Sequence, residues 1–316
     1  MCALPLDARP TCACIAELHD SLYVVVGLAA GASDGKIAAY LWSDGKLHAA
    51  WSKHVGDHVC ALTTVSGYVA AAIGHEVHTY AMEPHALTFR RPWDCAFVSS
   101  CLASQGSTLV VGDAMHSLTV LTVAEDGRLS ESARDLHPYW TSAVCVLDEE
   151  QQRYLGTDVA MNLFVAERAK GTEPESPWSH VMRHAAACHV GDLVNAIHTL
   201  PGGRVMYATA SGALGTLVHV PEPVARVLLC VQDAMIEVVP APGDIPWESW
   251  RTSRTDTRTE PPHHILDADV LRFFVSDPSV RSPCLDKAGS LAQARDIPMA
   301  EMAKERILQT LHALLS

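Results

Sequence analysis

Two histidines and a cysteine stand at a spacing that could bind a metal ion. His180, His184 and Cys188 are spaced four residues apart, so on a helix the two histidines could share a zinc ion while the cysteine approached as a third ligand. The run from Ala185 to Val190, however, leads into the strand-like residues 193–197. Because a strand would hold these side chains too far apart to share an ion, the sequence predicts no metal here.

The segment around Ser33 resembles two catalytic loops but lacks essential parts of both. Gly31-Ala32-Ser33-Asp34-Gly35 has the pattern of a hydrolase nucleophile elbow, which must join a strand to a helix, whereas a second strand-like run follows here. Gly35-Lys36 resembles the end of a phosphate-binding loop, but Ala30 replaces its first glycine and Ile37 its hydroxyl residue. An Asp-Gly hairpin turn explains this segment, so no enzyme activity is predicted from it.

The remaining chemical candidates also have structural explanations. His75-Glu76-Val77-His78 is one residue short of the metalloprotease helix pattern, and the acidic run 148–150 between two apolar runs is typical of a solvated turn. The ten cysteines are scattered and lie mostly within apolar runs, which indicates reduced, buried thiols. The sequence therefore predicts a protein that has no catalytic residues and needs no cofactor or metal.

The composition is that of a folded, acidic protein. Of the 316 residues 48% are apolar, which is enough for a large core. Lys and Arg number 23 against 36 Asp and Glu, a net charge of −13, so we expect direct nucleic-acid binding to be weak or indirect. The longest apolar stretch, residues 22–32, is shorter than the roughly 20 residues that span a membrane. No secretory signal is predicted at the start of the sequence.

Paired apolar runs are the elements that must position any functional side chain. In each pair, a run that ends in a small residue is followed after a short turn by a second run, which is the pattern of a β-hairpin. The pairs recur every 40–50 residues or so, a period typical of propeller blades. The sequence thus predicts a mainly β fold, with about five blade-like units in a partial β-propeller over residues 1–220. The first runs of the pairs are 23–27, 69–74, 109–112, 154–156 and 205–209.

After residue 220 the apolar period changes to about 3.6 residues, which indicates helices. Apolar stripes cover residues 224–238, 266–274 and 300–314, and Pro298 stands near the start of the last one. The Pro-, Thr- and Arg-rich segment 243–264 is predicted as a connector. Residues 221–316 are therefore predicted to form a small α-helical C-terminal domain.

A series of short motifs runs through nearly the whole chain in a fixed order. They are Ser43-Asp44-Gly45-Lys46-Leu47, residues 110–117, Ala133-Arg134-Asp135, Trp140 with Ser142-Ala143-Val144, Asn162-Leu163-Phe164-Val165, residues 189–195, Thr259-Glu260-Pro261 and residues 265–269. In this order and at similar spacing they resemble the C-terminal region of the damage-specific DNA-binding protein 1 family. The resemblance extends from Leu22 to the final helix.

The resemblance implies a scaffold and not an enzyme. Full-length members of the family carry three propellers and a C-terminal helical domain, and they link a cullin ubiquitin ligase to substrate receptors in DNA repair. The expected partners are therefore substrate-receptor proteins, with a cullin bound only through propellers outside the matched region, and the expected location is the nucleus and also the cytoplasm. The family also includes scaffolds of polyadenylation and splicing factors, so an RNA-processing scaffold of the same fold is the alternative.

The resemblance also implies a surface of the third propeller that faces the receptors. Its positions in this chain are Met115, His116, Arg134, Trp140, Leu193 and Asn195. His116 replaces an arginine of the family and Leu193 a larger aromatic residue, so we expect altered affinity and selectivity. Packing in the core is the alternative role of Trp140 and Leu193, whereas Arg134 and Asn195 are polar residues among apolar runs and need partners.

Overall fold

The computed structural model describes residues 8–18, 20–29, 31, 34–83, 86–168, 180–256, 258–298 and 303–315. Ser33, residues 169–179 and the predicted start of the last helix at Ala300 lie outside these ranges. Within them, five antiparallel sheets follow one another along the chain, four with four strands and the fifth with three. We number them as blades 1 to 5.

Blade 1 contains β1 (Arg9–Leu18), β2 (Ser21–Ala29), β3 (Gly35–Ser43) and β4 (Lys46–Val55). Blade 2 contains β5 (Val59–Val65), β6 (Tyr68–Ile73), β7 (Glu76–Glu83) and β8 (Ala86–Asp94). Blade 3 contains β9 (Ser99–Gln105), β10 (Thr108–Asp113), β11 (Leu118–Val123) and β12 (Leu129–Arg134). Blade 4 contains β13 (Thr141–Asp148), β14 (Arg153–Asp158), β15 (Asn162–Arg168) and β16 (Met182–His189). Blade 5 contains β17 (Val194–Thr199), β18 (Val205–Thr209) and β19 (Leu214–Leu217).

The first strand of each blade packs against the first strand of the next. β1 contacts β5, β5 contacts β9, β9 contacts β13, and β13 contacts β17. This is a five-blade β-propeller arrangement, and it confirms the prediction of a mainly β fold with about five blade-like units. Each predicted hairpin forms the second and third strands of one blade.

Alternate side chains of a middle strand enter two different cores. In β10, Val110 packs with Val144 of blade 4, whereas Leu109 and Val111 pack with Val77 of blade 2. Because successive side chains point to opposite faces of a sheet, a strand between two neighbouring blades must be apolar at every position. This explains why the sequence shows these strands as continuous apolar runs.

Blade 1 has one covered face and one partly exposed face. Val25 packs with Val59 and Leu62 of blade 2. On the opposite face a second cluster, which includes Leu28 and Tyr40, is buried, but Ile15 is 62% exposed and Trp42 49% exposed. Leu22, which pairs with Trp42, is also exposed there. Part of this face of the first blade is therefore an exposed apolar patch.

A β-bulge recurs near the start of the first strand in all five blades. The residues that the bulges leave unpaired are Thr11, Cys60, Ser100, Ser142 and Asn195. Three of them reach the next blade. Thr11 Oγ1 donates to the Val59 carbonyl oxygen at 2.6 Å, Ser100 Oγ to that of Thr141 at 2.7 Å, and Ser142 Oγ to that of Val194 at 2.7 Å. The bulge residue is thus a repeated contact between neighbouring blades.

Helices follow the propeller strands and enclose a separate core around the fully buried Phe274. The helical elements are α1 (Glu222–Val238), a 3-10 turn (Pro242–Asp244), α2 (Trp247–Arg251), α3 (Ala268–Ser276), α4 (Pro278–Ala294) and α5 (Lys304–Leu315). The stripe at 224–238 lies within α1, and α3 begins two residues after the predicted stripe because Asp267 caps it by accepting from the Asp269 amide. No described helix is long and apolar enough to cross a membrane.

Two features of this region differ from the sequence prediction. No stripe was predicted for α4, which packs through the small side chains of Cys284, Ala288 and Ala292 and so has a weak apolar period. The connector predicted at 243–264 contains α2 and a short hairpin, β20 (Ser253–Arg254) with β21 (Thr259–Glu260). It also pairs with blade 4, because the backbone N–H groups of Ala187 and His263 donate to each other's carbonyl oxygens.

Candidate functional site

Strand register places one set of connections at a common end of blades 3, 4 and 5. In blade 3 the end of β10 pairs with the start of β11, and in blades 4 and 5 Thr141 pairs with Asp158 and Val194 with Thr209. Hydrogen bonds join the connections across blades, such as Ser117 N–H to the Tyr139 carbonyl at 2.9 Å. We call this end the loop face. It consists of residues 95–98, 114–117, 135–140, 159–161, 190–193 and 210–213.

The residues implied by the resemblance all lie on the loop face or within two residues of it. They are Met115 and His116 after β10, Arg134 at the end of β12, Trp140 before β13, and Leu193 and Asn195 at the start of β17. Blades 3, 4 and 5 thus each contribute to one end of the propeller. This common position makes the six residues a candidate binding surface.

A buried carboxylate shapes the connection that presents Met115 and His116. Asp113 Oδ1 accepts from the backbone N–H of Met115 at 2.7 Å and of His116 at 3.0 Å, and its Oδ2 accepts from that of Phe97 at 2.8 Å. These bonds hold two connections of the loop face together. The Met115 side chain is 53% exposed as a result.

Trp140 is an exposed aromatic residue on a fixed backbone. Its side chain is 56% exposed, and its carbonyl oxygen accepts from the Val159 N–H at 3.0 Å. The alternative of core packing therefore does not describe Trp140, whereas Leu193 is half-buried. Exposed Trp and Met side chains on a rigid frame are typical of protein-binding surfaces.

Further apolar side chains of the loop face are exposed and were not predicted from the sequence. They are Phe97, Val98, Leu136, Val159 and Met161. They lie in short connections, so no periodic pattern marks them in the sequence. Several exposed apolar side chains at one end of a propeller indicate an interaction site.

Arg134 and Asn195 have different surroundings. The Arg134 guanidinium binds Glu131 at 2.6 Å, both side chains being about one third exposed, and its Nε is buried without a hydrogen-bond partner among the described residues. Asn195 is the bulge residue of blade 5 and is exposed. Arg134 thus already has an ionic partner within its own strand, while the Asn195 amide faces outward.

A second group of polar residues lies buried beneath the loop face. The Asp135 carboxylate is fully buried, with Oδ1 2.6 Å from His137 Nδ1 and Oδ2 2.9 Å from His184 Nε2. Ser117 Oγ donates to Oδ2 at 2.6 Å. We call Asp135, His137 and His184 the Asp135 cluster. Burial raises the pKa of Asp135, but the hydrogen bonds and charges of the two histidines outweigh this and hold the pKa well below its usual range.

Aromatic rings enclose the two histidines of the Asp135 cluster. The rings of His137 and His184 lie 4.0 Å apart, Phe164 stacks on His184 at 4.8 Å, and Tyr139 stacks on His137 at 5.3 Å. Asp135 and His137 belong to the connection between blades 3 and 4, whereas His184 lies in the outer strand of blade 4. The cluster therefore joins two blades.

The histidine and cysteine sets considered in the sequence are not brought together in this way. His180 Nδ1 lies 3.0 Å from the Ser132 carbonyl oxygen, and Cys188 is in the core between blades 4 and 5, so His184 groups with neither. His78 binds Glu76 and Tyr80 within one strand. Burial raises the pKa of Cys188 to about 11 and that of Cys145 to about 12, so these thiols remain protonated at neutral pH.

The five blades, their apolar loop face and the helices that follow them define a propeller scaffold. A protein-family model described as "CPSF A subunit region" matches residues 7–276. The chain therefore belongs to this family, that of the damage-specific DNA-binding protein 1 and the large subunit of the cleavage and polyadenylation factor. The resemblance inferred from the short motifs is confirmed.

Curated relatives of the chain are DNA damage-binding proteins of plants. The chain is 27% identical over 260 residues to DNA damage-binding protein 1a of Arabidopsis thaliana, covering 76% of this chain and 24% of the relative. It is 27% identical over 290 residues to DNA damage-binding protein 1 of Solanum lycopersicum, covering 85% and 26%, and 24% identical over 290 residues to that of Oryza sativa subsp. japonica, covering 86% and 26%. The chain spans about a quarter of the length of these relatives.

Proposed function

We propose that this chain is the receptor-binding part of a non-enzymatic ubiquitin-ligase adaptor. In this proposal residues 1–220 form the partial propeller, residues 221–316 form the helical domain, and the loop face binds substrate-receptor proteins. The observation that carries the proposal is the position of Met115, Trp140 and their exposed apolar neighbours at one end of blades 3 and 4. Rigidly held aromatic and Met side chains supply much of the energy of many protein interfaces.

The proposal includes a cellular location and expectations about nucleic-acid and cullin binding. We place it in the nucleus and also in the cytoplasm, in DNA repair, with contact to nucleic acid only through its partners, because its net charge is −13. A cullin would be bound by propellers outside the region matched here. The purified chain is therefore expected to capture no cullin in a pull-down with purified components.

An RNA-processing scaffold is the second candidate, because the matching family model carries the name of a CPSF subunit. Affinity purification of the tagged chain from its own cells, with quantitative mass spectrometry, separates the two functions. Enrichment of substrate receptors and other ubiquitin-ligase subunits supports the adaptor. Enrichment of polyadenylation or splicing subunits in their place would establish the second function.

Trp140→Asp is expected to reduce the recovery of receptors at least tenfold in that purification. The change puts a charge on the loop face at an exposed aromatic position, and interface aromatics that act as hot spots typically contribute about 2 kcal/mol or more. Trp250→Asp is the matched control, because Trp250 is similarly exposed but lies in α2. Equal recovery of receptors with Trp140→Asp and with Trp250→Asp would show that the loop face does not bind them.

Arg134→Ala and Asn195→Ala are expected to weaken receptor binding while changing the free energy of unfolding by about 0.5–1 kcal/mol or less. The Arg134–Glu131 ion pair is partly exposed, and Asn195 is exposed, so neither should contribute more to stability. Differential scanning fluorimetry and a binding titration with a purified receptor measure both effects. A loss of several degrees in Tm for both variants would assign them to the fold.

A further inference from the structure

The Asp135 cluster contains a fully buried carboxylate. Among the described residues, Asp135 forms ion pairs only with His137 and His184, and no Arg or Lys reaches it. The His184 side chain is 3% exposed, and its Nδ1 has no hydrogen-bond partner among the described residues. The buried carboxylate thus has two imidazoles as its ionic partners in the described part of the chain.

The donor atoms of the cluster form a metal-binding set. One ligand atom from each of Asp135, His137 and His184 lies within 4.8 Å of the other two, and the nitrogens in contact with the carboxylate are His137 Nδ1 and His184 Nε2. Two imidazole nitrogens and a carboxylate oxygen are ligands typical of zinc, with bonds of about 2.0–2.2 Å. Ligand atoms around such an ion are about 3.3 Å apart, so only small side-chain shifts would separate the present hydrogen-bonded atoms enough.

Several neighbouring groups suit a metal site. The Ser117 hydroxyl donates to Asp135 and would orient it as a ligand. Phe164 and Tyr139 pack on the imidazole rings and would exclude water from most of the ion. His137 is 27% exposed, which leaves a path by which an ion can enter.

We propose that Asp135, His137 and His184 bind one divalent transition-metal ion, with zinc as the ion that best matches the donor set. The ion balances the charge of Asp135 and cross-links the connection before β13 to β16, so that it joins blades 3 and 4 beneath Leu136 and Trp140. Each imidazole presents an unprotonated nitrogen to the ion, so a proton now shared with Asp135 moves to the other ring nitrogen or leaves. The proposal is independent of the receptor-binding function.

The test is a metal titration of the untagged 316-residue chain after treatment with a chelator and its removal. Wild type is expected to bind one equivalent of zinc by calorimetry and to show a higher Tm with zinc than without it. Cobalt, used as a spectroscopic probe, is expected to give visible absorption bands with histidine and carboxylate character. His137→Gln and His184→Gln should each weaken zinc binding at least tenfold.

His180→Gln is the matched control, since His180 lies near the same strand but outside the cluster. This variant is expected to keep the full zinc equivalent. His184 is buried, so circular dichroism verifies the fold of each variant, and the more exposed His137→Gln keeps the test valid if His184→Gln unfolds. A wild-type chain that binds no zinc would overturn the proposal. Cluster variants that keep the full zinc equivalent would also overturn it, because zinc would then be bound by other ligands such as the cysteines.

Discussion

Asp135→Ala is expected to lower the free energy of unfolding by about 3–5 kcal/mol in buffer that contains a chelator. The substitution removes a fully buried acceptor and leaves the Ser117 hydroxyl and two imidazoles without their partner. Urea unfolding measures the decrease in the free energy of unfolding. The protein concentration is kept low enough that the chain remains monomeric. Glu150→Ala is the control, because Glu150 is an exposed carboxylate in a turn, and a change of about 0.5 kcal/mol or less is expected for it.

The pH dependence of this difference follows from the lowered pKa of Asp135. A carboxyl whose pKa is lower in the folded state stabilises the fold above its unfolded pKa, about 3.9, and this contribution is lost as the pH falls through the folded pKa. Wild type and Asp135→Ala should therefore keep their difference down to about pH 4 and converge only below it. Convergence already near neutral pH would show that the carboxylate is not the stabilising group.

The isolated chain is expected to self-associate at micromolar concentration. Ile15, Leu22 and Trp42 form an exposed apolar patch on one sheet face of blade 1, and such a patch is normally covered by another blade or another chain. The family resemblance implies seven blades in the third propeller, so this chain supplies about five of them. Size-exclusion chromatography with light scattering should give a mass well above that of a single chain.

Ile15→Lys combined with Trp42→Lys is expected to shift the chain toward the monomer, because each change places a charge on the exposed face of blade 1. Phe273→Lys serves as the control, since Phe273 is also exposed but lies in α3. A wild-type chain that is monomeric throughout would contradict the prediction. An equal effect of Phe273→Lys would place the contact elsewhere.

The sequence predicted the middle strands of every blade and missed most of the outer ones, for a physical reason. β10 and β14 are buried on both faces and are continuous apolar runs, whereas β4 and β8 are exposed along much of their length. A strand of mixed polarity has no clear period when a bulge interrupts its alternation, as in β4, where Ala50 is left unpaired opposite Ala39 and Tyr40. Blade number was therefore predictable, but strand number was not.

The candidate site divides in the same way. Met115, Trp140 and Leu193 were proposed from short motifs that are contiguous in the sequence, and the structure places all three on the loop face. The Asp135 cluster could not, because His184 is separated from Asp135 by almost 50 residues and reaches it only after blade 4 has folded. Its neighbours at helical spacing, His180 and Cys188, indicated a different site. Residues that are distant in the sequence and come together only in the folded propeller produce no local sequence pattern.

The hydrogen bonds from the bulge residues Thr11, Ser100 and Ser142 to the next blade also bear on how the propeller unfolds locally. Each of these hydrogen bonds joins one blade to the next, so among the blades the stabilising contacts run between immediate neighbours. Blades 1 and 5 lack one such neighbour among the described residues, whereas blade 3 has both. The free energy of local opening is therefore expected to be lowest at the two terminal blades. It is expected to be highest in the middle blades, where it approaches the free energy of global unfolding. The apolar loop face around Trp140 is built on the part of the chain that opens most rarely.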